Sequence, residues 1–282
     1  MTFLLQQFAP SVVAGGLVAF LVALAARWLP ADWRRQLAWA VAVGGGYAAG
    51  HAKVANWPAF PPADVTHWLL FSALASIGFG ALYGSCRDGW SRVGQIGSLG
   101  VLLLATLGLI LVPKFKYGWS TSQGVLWLTG LVLASVPMAW TVDRTLQDRG
   151  GRWSTLWVLM LWIGISLALA LSGSMLLGQL AAVSGAVVFG LVVNAAISGT
   201  ILRAIVPGLT TLFTGLLVCG YFYAELPWTS GMLLALAPLL ALLLPGKRTS
   251  FRWELLRTLV VTVPVIAAVI LAYRASPKLD YY

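Results

Sequence analysis

Apolar stretches of about 20 residues recur along the whole chain, and the short segments between them hold most of its charged residues. Folded as a helix, such a stretch crosses a hydrocarbon core about 30 Å thick. Ten stretches can be placed, with approximate bounds 8–28, 37–55, 67–85, 94–112, 123–142, 154–173, 175–198, 204–224, 229–245 and 255–273. The pattern predicts an all-α fold: a polytopic integral membrane helical bundle of about ten transmembrane helices.

The least distinct boundary lies between the sixth and seventh stretches, where only Ser172–Ser174 interrupts the apolar sequence. Without a break there the chain has nine spans, and the orientation of everything downstream inverts. Loop charge favours the break, because ten spans place thirteen Lys and Arg residues on one side and five on the other. The positive-inside rule then predicts that both termini lie outside the cytoplasm.

The larger basic group comprises Arg27, Arg34, Arg35, Arg87, Arg92, Arg144, Arg149, Arg152, Arg203, Lys247, Arg248, Arg252 and Arg257. The smaller group comprises Lys53, Lys114, Lys116, Arg274 and Lys278. We therefore expect an integral membrane protein, and assign it to a bacterial cytoplasmic (inner) membrane.

Composition agrees with this class, since 60% of the residues are hydrophobic and 9% are charged, against about 25% charged in soluble domains. The net charge of +10 is spread over short loops, with no long basic run, so nucleic acid is not an expected partner. Cys86 and Cys219 lack metal-ligand spacing. The sequence predicts no metal and no cofactor, and no nucleotide, hydrolase or haem motif indicates an enzyme or a catalytic residue.

Residues 1–282 are expected to form a single transmembrane domain, because no soluble segment or long linker interrupts the spans. Two halves, 8–142 and 154–273, would each hold five spans, which permits the inverted-repeat plan of many transporters. Small residues at Gly44–Gly50 and at two pairs in span seven, Ala181–Gly185 and Ala186–Gly190, let helix backbones approach closely. These features predict that spans two and seven lie inside the bundle.

The segment between spans two and three, GHAKVANWPAFPPADVTHW, contains both histidines of the chain. The prolines favour an extended bend, Asp64 can cap the helix that follows, and His51 can reach the interface from the end of span two. The alternative is a metal or acid–base site formed by His51, Asp64 and His67. The bend is the favoured interpretation.

Four further polar residues are candidates for a substrate path. Asn194 and Gln179 lie within span seven, where an amide either joins helices by hydrogen bonds or lines a path. Arg203 either reaches the interface or binds an anion or an anionic headgroup. Glu225 lies on an outer loop beside tyrosines, where an interfacial position is favoured.

Three functions remain open from the sequence. A small-molecule or lipid transporter (permease) is weakly favoured by the compact ten-span plan. A non-catalytic membrane subunit or assembly factor of a larger complex fits the scarcity of intramembrane polar groups equally well. An integral enzyme acting on a lipid-linked substrate is the third. The expected partners are the lipid bilayer and either a membrane-protein partner or further copies of the chain.

Overall fold

The computed structural model describes residues 2–30, 32–86, 89–147, 156–199, 202–244 and 251–276, except the side chains of residues 2–8 and 147. Arg87, Arg149, Arg152, Lys247, Arg248 and Lys278 lie outside the described residues. The described part contains no strand and ten α-helices. They are α1 (Thr2–Ala25), α2 (Asp32–Ala55), α3 (Val65–Cys86), α4 (Arg92–Tyr117), α5 (Thr121–Gln147), α6 (Leu156–Leu171), α7 (Met175–Ser198), α8 (Ile205–Tyr223), α9 (Trp228–Leu240) and α10 (Phe251–Ala275).

Seven of the described helices are long and apolar enough to cross a membrane. Of the other three, α6 and α9 are apolar but have only 16 and 13 residues. At 1.5 Å per residue these helices are about 24 and 20 Å long. Helix α2 has 24 residues, but its first turns are polar and its second half is rich in glycine and alanine. The predicted all-helical membrane architecture is confirmed at this level.

The predicted break between the sixth and seventh stretches is confirmed. Helix α6 ends at Leu171 and α7 begins at Met175. Gly173 has a φ of 91°, a conformation that glycine adopts without steric cost. The Ser174 hydroxyl accepts a hydrogen bond from the backbone N–H of Leu177, so it caps α7. Two polar residues and one glycine are therefore enough to end one apolar helix and start the next.

Helix α8 is the most enclosed helix, with 89% of its most apolar window buried. It packs most extensively against α3, α4 and α5 and also contacts α2, α6, α7 and α9. In α7, 67% of the most apolar window is buried, which agrees with the predicted interior position of this helix. The central place of α8 was not predicted from the sequence, although Gly208, Gly215 and Gly220 recur along this helix.

Glycines bring α1, α2 and α7 together. A side chain at Gly190 of α7 would begin 2.6 Å from the backbone oxygen of Gly16 in α1. A side chain at Gly46 of α2 would begin 2.9 Å from the oxygen of Gly15. Both distances are too short for a real Cβ, so these backbones pack directly on one another. The small-residue faces of spans two and seven, predicted to allow close packing, are thus used in part against α1.

Consecutive helices run in opposite directions, which gives the bundle two distinct ends. The arginine-rich end is where α1 and α7 finish and α2 and α8 begin, and it carries Arg27, Arg35 and Arg203. There the backbone N–H of Ala204 donates to Gln36 Oε1 at 3.2 Å, joining the starts of α2 and α8. The histidine end is the opposite one, and it carries His51 and His67.

Candidate functional site: a buried tyrosine–histidine–histidine chain

Three side chains at the histidine end form a hydrogen-bonded chain. Tyr47 and His51 lie one turn apart on α2, and His67 lies in the first turn of α3. His51 Nε2 is 3.1 Å from His67 Nδ1, and His51 Nδ1 is 3.4 Å from Tyr47 Oη. The rings of His51 and His67 are tilted, with centroids 5.4 Å apart. The α2–α3 loop therefore brings together two histidines that are 16 positions apart.

His51 is 0% exposed, which contradicts the expectation that it reaches the interface. The position follows from helix geometry: His51 is four residues after Tyr47, so both side chains point into the bundle on the same face. His67 is half-buried and lies between His51 and the surface. A polar path thus leads inward from the surface through His67 and His51 to Tyr47.

The hydrogen-bonded side chains of Tyr47, His51 and His67 can together take up one extra proton. When both imidazoles are neutral, one ring nitrogen of the His51–His67 contact donates and the other accepts. A protonated His51 can still donate through Nε2 to His67 and through Nδ1 to the Tyr47 oxygen. If both imidazoles were protonated, two N–H donors would face each other and the contact would break. The pair can therefore hold a single proton with all its hydrogen bonds made.

Asp64 acts as a helix cap, as predicted. Its Oδ1 accepts from the backbone N–H and the hydroxyl of Thr66, at 2.7 and 2.8 Å. Asp64 is exposed, and one carboxylate oxygen is committed to Thr66. The described residues include no group of three or more His, Cys, Asp or Glu side chains arranged to hold a metal ion.

A cavity of about 390 Å³ opens at the histidine end, where Asp64 and Thr66, just before His67, form part of its wall. Its walls come from the start of α3, the end of α4, the start of α7 and the end of α8. The lining residues include Asp64, Thr66, Pro113, Ser174, Cys219 and Tyr223. Near its rim, the Lys114 ammonium lies 5.2 Å from the centre of the Tyr223 ring. A space of this size with several polar groups on its wall can hold water.

A second cavity, of about 270 Å³, lies at the arginine-rich end, and Asn194 of α7 contributes to its wall. Asn194 is fully buried. Its Oδ1 accepts a long hydrogen bond, 3.4 Å, from the Ser198 hydroxyl. Both cavities therefore border α7. From Leu177 in the first to Asn194 in the second, the helix rises about 26 Å.

The other candidate residues do not meet at one point. Gln179 is half-buried in the second turn of α7. Arg203 is half-buried at the arginine-rich end, and Glu225 is exposed in the loop between α8 and α9 with a φ of 53°. Of the seven polar residues singled out from the sequence, the structure brings only His51, Asp64 and His67 to one site.

Sequence reasoning missed Tyr47 and a buried ion pair between Glu254 and Arg257. The position of Tyr47, four residues before a histidine on an apolar helix, was a usable signal. Glu254 and Arg257 share a turn at the start of α10, with Arg257 Nη1 2.7 and 2.8 Å from the carboxylate oxygens. Such spacing usually indicates a surface pair, so nothing in the sequence pointed to its burial.

Comparisons with protein-family models, with curated proteins and with solved structures found no significant match to this chain. The functional argument therefore rests on the geometry of the site.

Proposed function

We propose that this chain is a proton-linked membrane transporter of a small molecule or a lipid. The observation that carries the proposal is the fully buried His51, hydrogen-bonded to His67 and Tyr47. Ionisable side chains inside a membrane bundle are costly and commonly belong to ion or proton pathways. His51 has polar partners on both ring nitrogens and a half-buried histidine on its outer side, so it can exchange a proton with the surface.

The two cavities support translocation rather than a solid bundle. They open at opposite ends and both border α7. Between these ends, α1, α2 and α7 pack through glycines, with backbone against backbone. Access from alternate sides would require the packing around α7 to rearrange, including these glycine contacts with α1. Protonation of His51 would bias the equilibrium, because a buried charge changes the relative free energies of two packings.

The proposed topology has all ten helices spanning the membrane, with α2, α6 and α9 included. The arginine-rich end faces the cytoplasm, both termini lie outside it, and the membrane is a bacterial inner membrane. Support comes from the loop charges and from the antiparallel packing of consecutive helices. Local thinning of the bilayer allows the shorter α6 and α9 to cross it.

The test is uptake into proteoliposomes. The full-length protein, reconstituted in a neutral lipid, should accumulate one member of a panel of labelled metabolites and lipids faster than empty liposomes do. Replacement of a cavity-lining residue, Thr66→Trp, should block this uptake, whereas Lys53→Gln, at an exposed position near the end of α2, should not. No uptake of any compound by a folded, monodisperse protein would count against a transporter.

A second candidate function is a non-catalytic membrane subunit or assembly factor, with a membrane-protein partner or a second copy of the chain. One observation favours it: Asn194, Arg203 and Glu225 are dispersed over the bundle instead of lining one central path. Purification in a mild detergent separates the two. A stable partner that co-purifies in fixed ratio, from a protein inactive in uptake, supports the subunit. A particle that is active in uptake without a partner excludes it.

A further inference from the structure

The cavity at the arginine-rich end has features that the proposed proton-linked transport does not use. Two exposed arginines, Arg27 and Arg35, line it together with Ala26, Trp39, Asn194, Ser198 and Leu202. These two positively charged side chains border the same cavity, and none of the described residues that line it is acidic. Such an arrangement is unfavourable unless solvent or an anion occupies the space between them.

Backbone and side-chain hydrogen bonds hold this wall in place. After α1, residues Ala26–Trp28 form a short 3-10 turn, and Arg35 Nε donates to the Leu29 oxygen at 2.9 Å. On the opposite wall, the bond from Ala204 N to Gln36 Oε1 fixes the segment after α7 against α2. The backbone that carries the two arginines is therefore held in place by hydrogen bonds.

The ion pair between Arg35 and its acidic neighbour Asp32 is weak. Asp32 Oδ1 lies 3.8 Å from Arg35 Nη1, and the Asp32 side chain is 97% exposed. An exposed pair at this distance contributes little, so it leaves the Arg35 guanidinium available to a second anion.

A second, independent observation comes from Asn194. Its side chain is fully buried, yet its Nδ2 has no hydrogen-bond partner among the described residues. A buried amide donor without a partner costs about 1–3 kcal/mol. An amide that served only to join helices would be expected to find an acceptor on a neighbouring helix. Its place in the cavity wall beside the two arginines suggests instead that the acceptor is a ligand.

We propose that this cavity binds a phosphate group. Guanidinium groups bind phosphate through paired, charge-assisted hydrogen bonds, and the Asn194 amide adds a neutral donor from the buried side. The volume of about 270 Å³ equals that of roughly nine waters at about 30 Å³ each, enough for a phosphate with part of its substituent. The phosphate belongs either to an anionic lipid headgroup or to a soluble ion. The inference does not depend on whether the chain transports.

The test uses the full-length protein in a neutral, phosphate-free detergent. Native mass spectrometry measures retention of phosphatidylglycerol against phosphatidylcholine with the same acyl chains, and inorganic phosphate is titrated separately against the melting temperature. Retention of phosphatidylglycerol alone identifies a headgroup site. A rise in melting temperature with inorganic phosphate that also displaces the lipid identifies a soluble ion. Either result supports the site.

Arg35→Gln and Asn194→Asp should each weaken binding about tenfold or more, because each removes or opposes a charge-assisted contact. Arg34→Gln is the matched control, since Arg34 is an exposed neighbour that does not line the cavity. Asn194→Leu should melt at or above the wild-type temperature without ligand, because the unpartnered amide is gone, and should lose the ligand-induced rise. The proposal is overturned if neither phosphate source binds better than phosphatidylcholine, if Arg34→Gln weakens binding as much as Arg35→Gln, or if Asn194→Leu binds normally.

Discussion

The ion pair between Glu254 and Arg257 shows how a residue's surroundings decide its role. Arg257 is 0% exposed and the Glu254 side chain 5%, and Arg257 Nε also donates to the Ala241 oxygen where α9 ends. The arginine therefore joins the end of α9 to the start of α10. Because the join depends on a carbonyl 16 positions earlier, the helical spacing of the pair could not reveal it.

Replacement of Glu254 by Gln should destabilise the protein by about 3–5 kcal/mol, because it leaves a buried guanidinium without its counter-charge. Unfolding in mixed detergent micelles measures this change. Arg252→Gln, at an exposed position two residues before Glu254, is the control and should change stability by less than about 1 kcal/mol. Equal stability of the Glu254→Gln and wild-type proteins would show that the pair does not hold the two helices together.

The contact between His51 and His67 can be observed directly, because the chain has two histidines. In the ¹⁵N-histidine-labelled protein, a hydrogen bond between His51 Nε2 and His67 Nδ1 should give a scalar coupling between the two nitrogens. Tyr47→Phe should keep this coupling, since it removes only the bond to Nδ1. His67→Gln should abolish it. If the two imidazoles of the wild type show no coupling, the hydrogen bond between His51 and His67 is not present.

At the level of single residues, the sequence allowed partial prediction of the site. Asp64 was identified as a helix cap from its position before α3, and the cap is present. His51 was placed at the interface because it lies near a helix end, but its face of α2 packs inward. Which face of a helix is buried depends on all its neighbours, so the sequence of α2 alone could not decide it.

At the scale of the helices, local signals were reliable. Ser120, followed three residues later by Gln123, has the spacing of a capping box before α5. Both of its bonds are present: Ser120 N donates to Gln123 Oε1 at 3.2 Å, and Gln123 N donates to Ser120 Oγ at 3.3 Å. The central place of α8 was not predicted, because lipid-facing and buried helices are equally apolar in a membrane protein. Only packing distinguishes them.

Gly190→Ala should destabilise the bundle by about 1–3 kcal/mol, because the new methyl group would overlap the Gly16 oxygen on α1. Gly78→Ala is the matched control, since nothing lies within 4 Å of the position of its Cβ. The control should be neutral or slightly stabilising, as alanine favours the helix. Thermal unfolding of both variants in detergent makes the comparison. Equal melting of the two would refute direct backbone packing of α1 on α7.

At the scale of the whole molecule, the larger hydrophobic core cluster draws buried residues from all ten described helices, and a second, small cluster joins α3, α4 and α5 through Tyr83, Leu99, Leu103 and Ala139. The division into halves 8–142 and 154–273 stays a prediction. So does the orientation in the membrane, which rests on loop charge and not on packing.

Orientation can be tested with the exposed Cys86 at the end of α3. If the arginine-rich end is cytoplasmic, a membrane-impermeant thiol reagent should label Cys86 in inside-out vesicles and not in intact cells. Cys219 is buried but lines the cavity at the histidine end, so it is replaced by Ser in both measurements. Tyr117→Cys in a Cys86→Ser background, at the histidine end, should show the opposite pattern. Labelling of Cys86 in intact cells would invert the proposed topology.

The most direct test of proton-linked transport is the change in internal pH of proteoliposomes loaded with a pH-sensitive dye, recorded when a transported solute is added. The wild type should move protons with the solute, and His51→Gln should lose at least about 90% of the proton movement because the imidazole that holds the proton is absent. Lys53→Gln should behave as wild type. Solute uptake without proton movement, or unchanged proton movement in His51→Gln, would contradict the proposal that His51, with His67 and Tyr47, carries the proton.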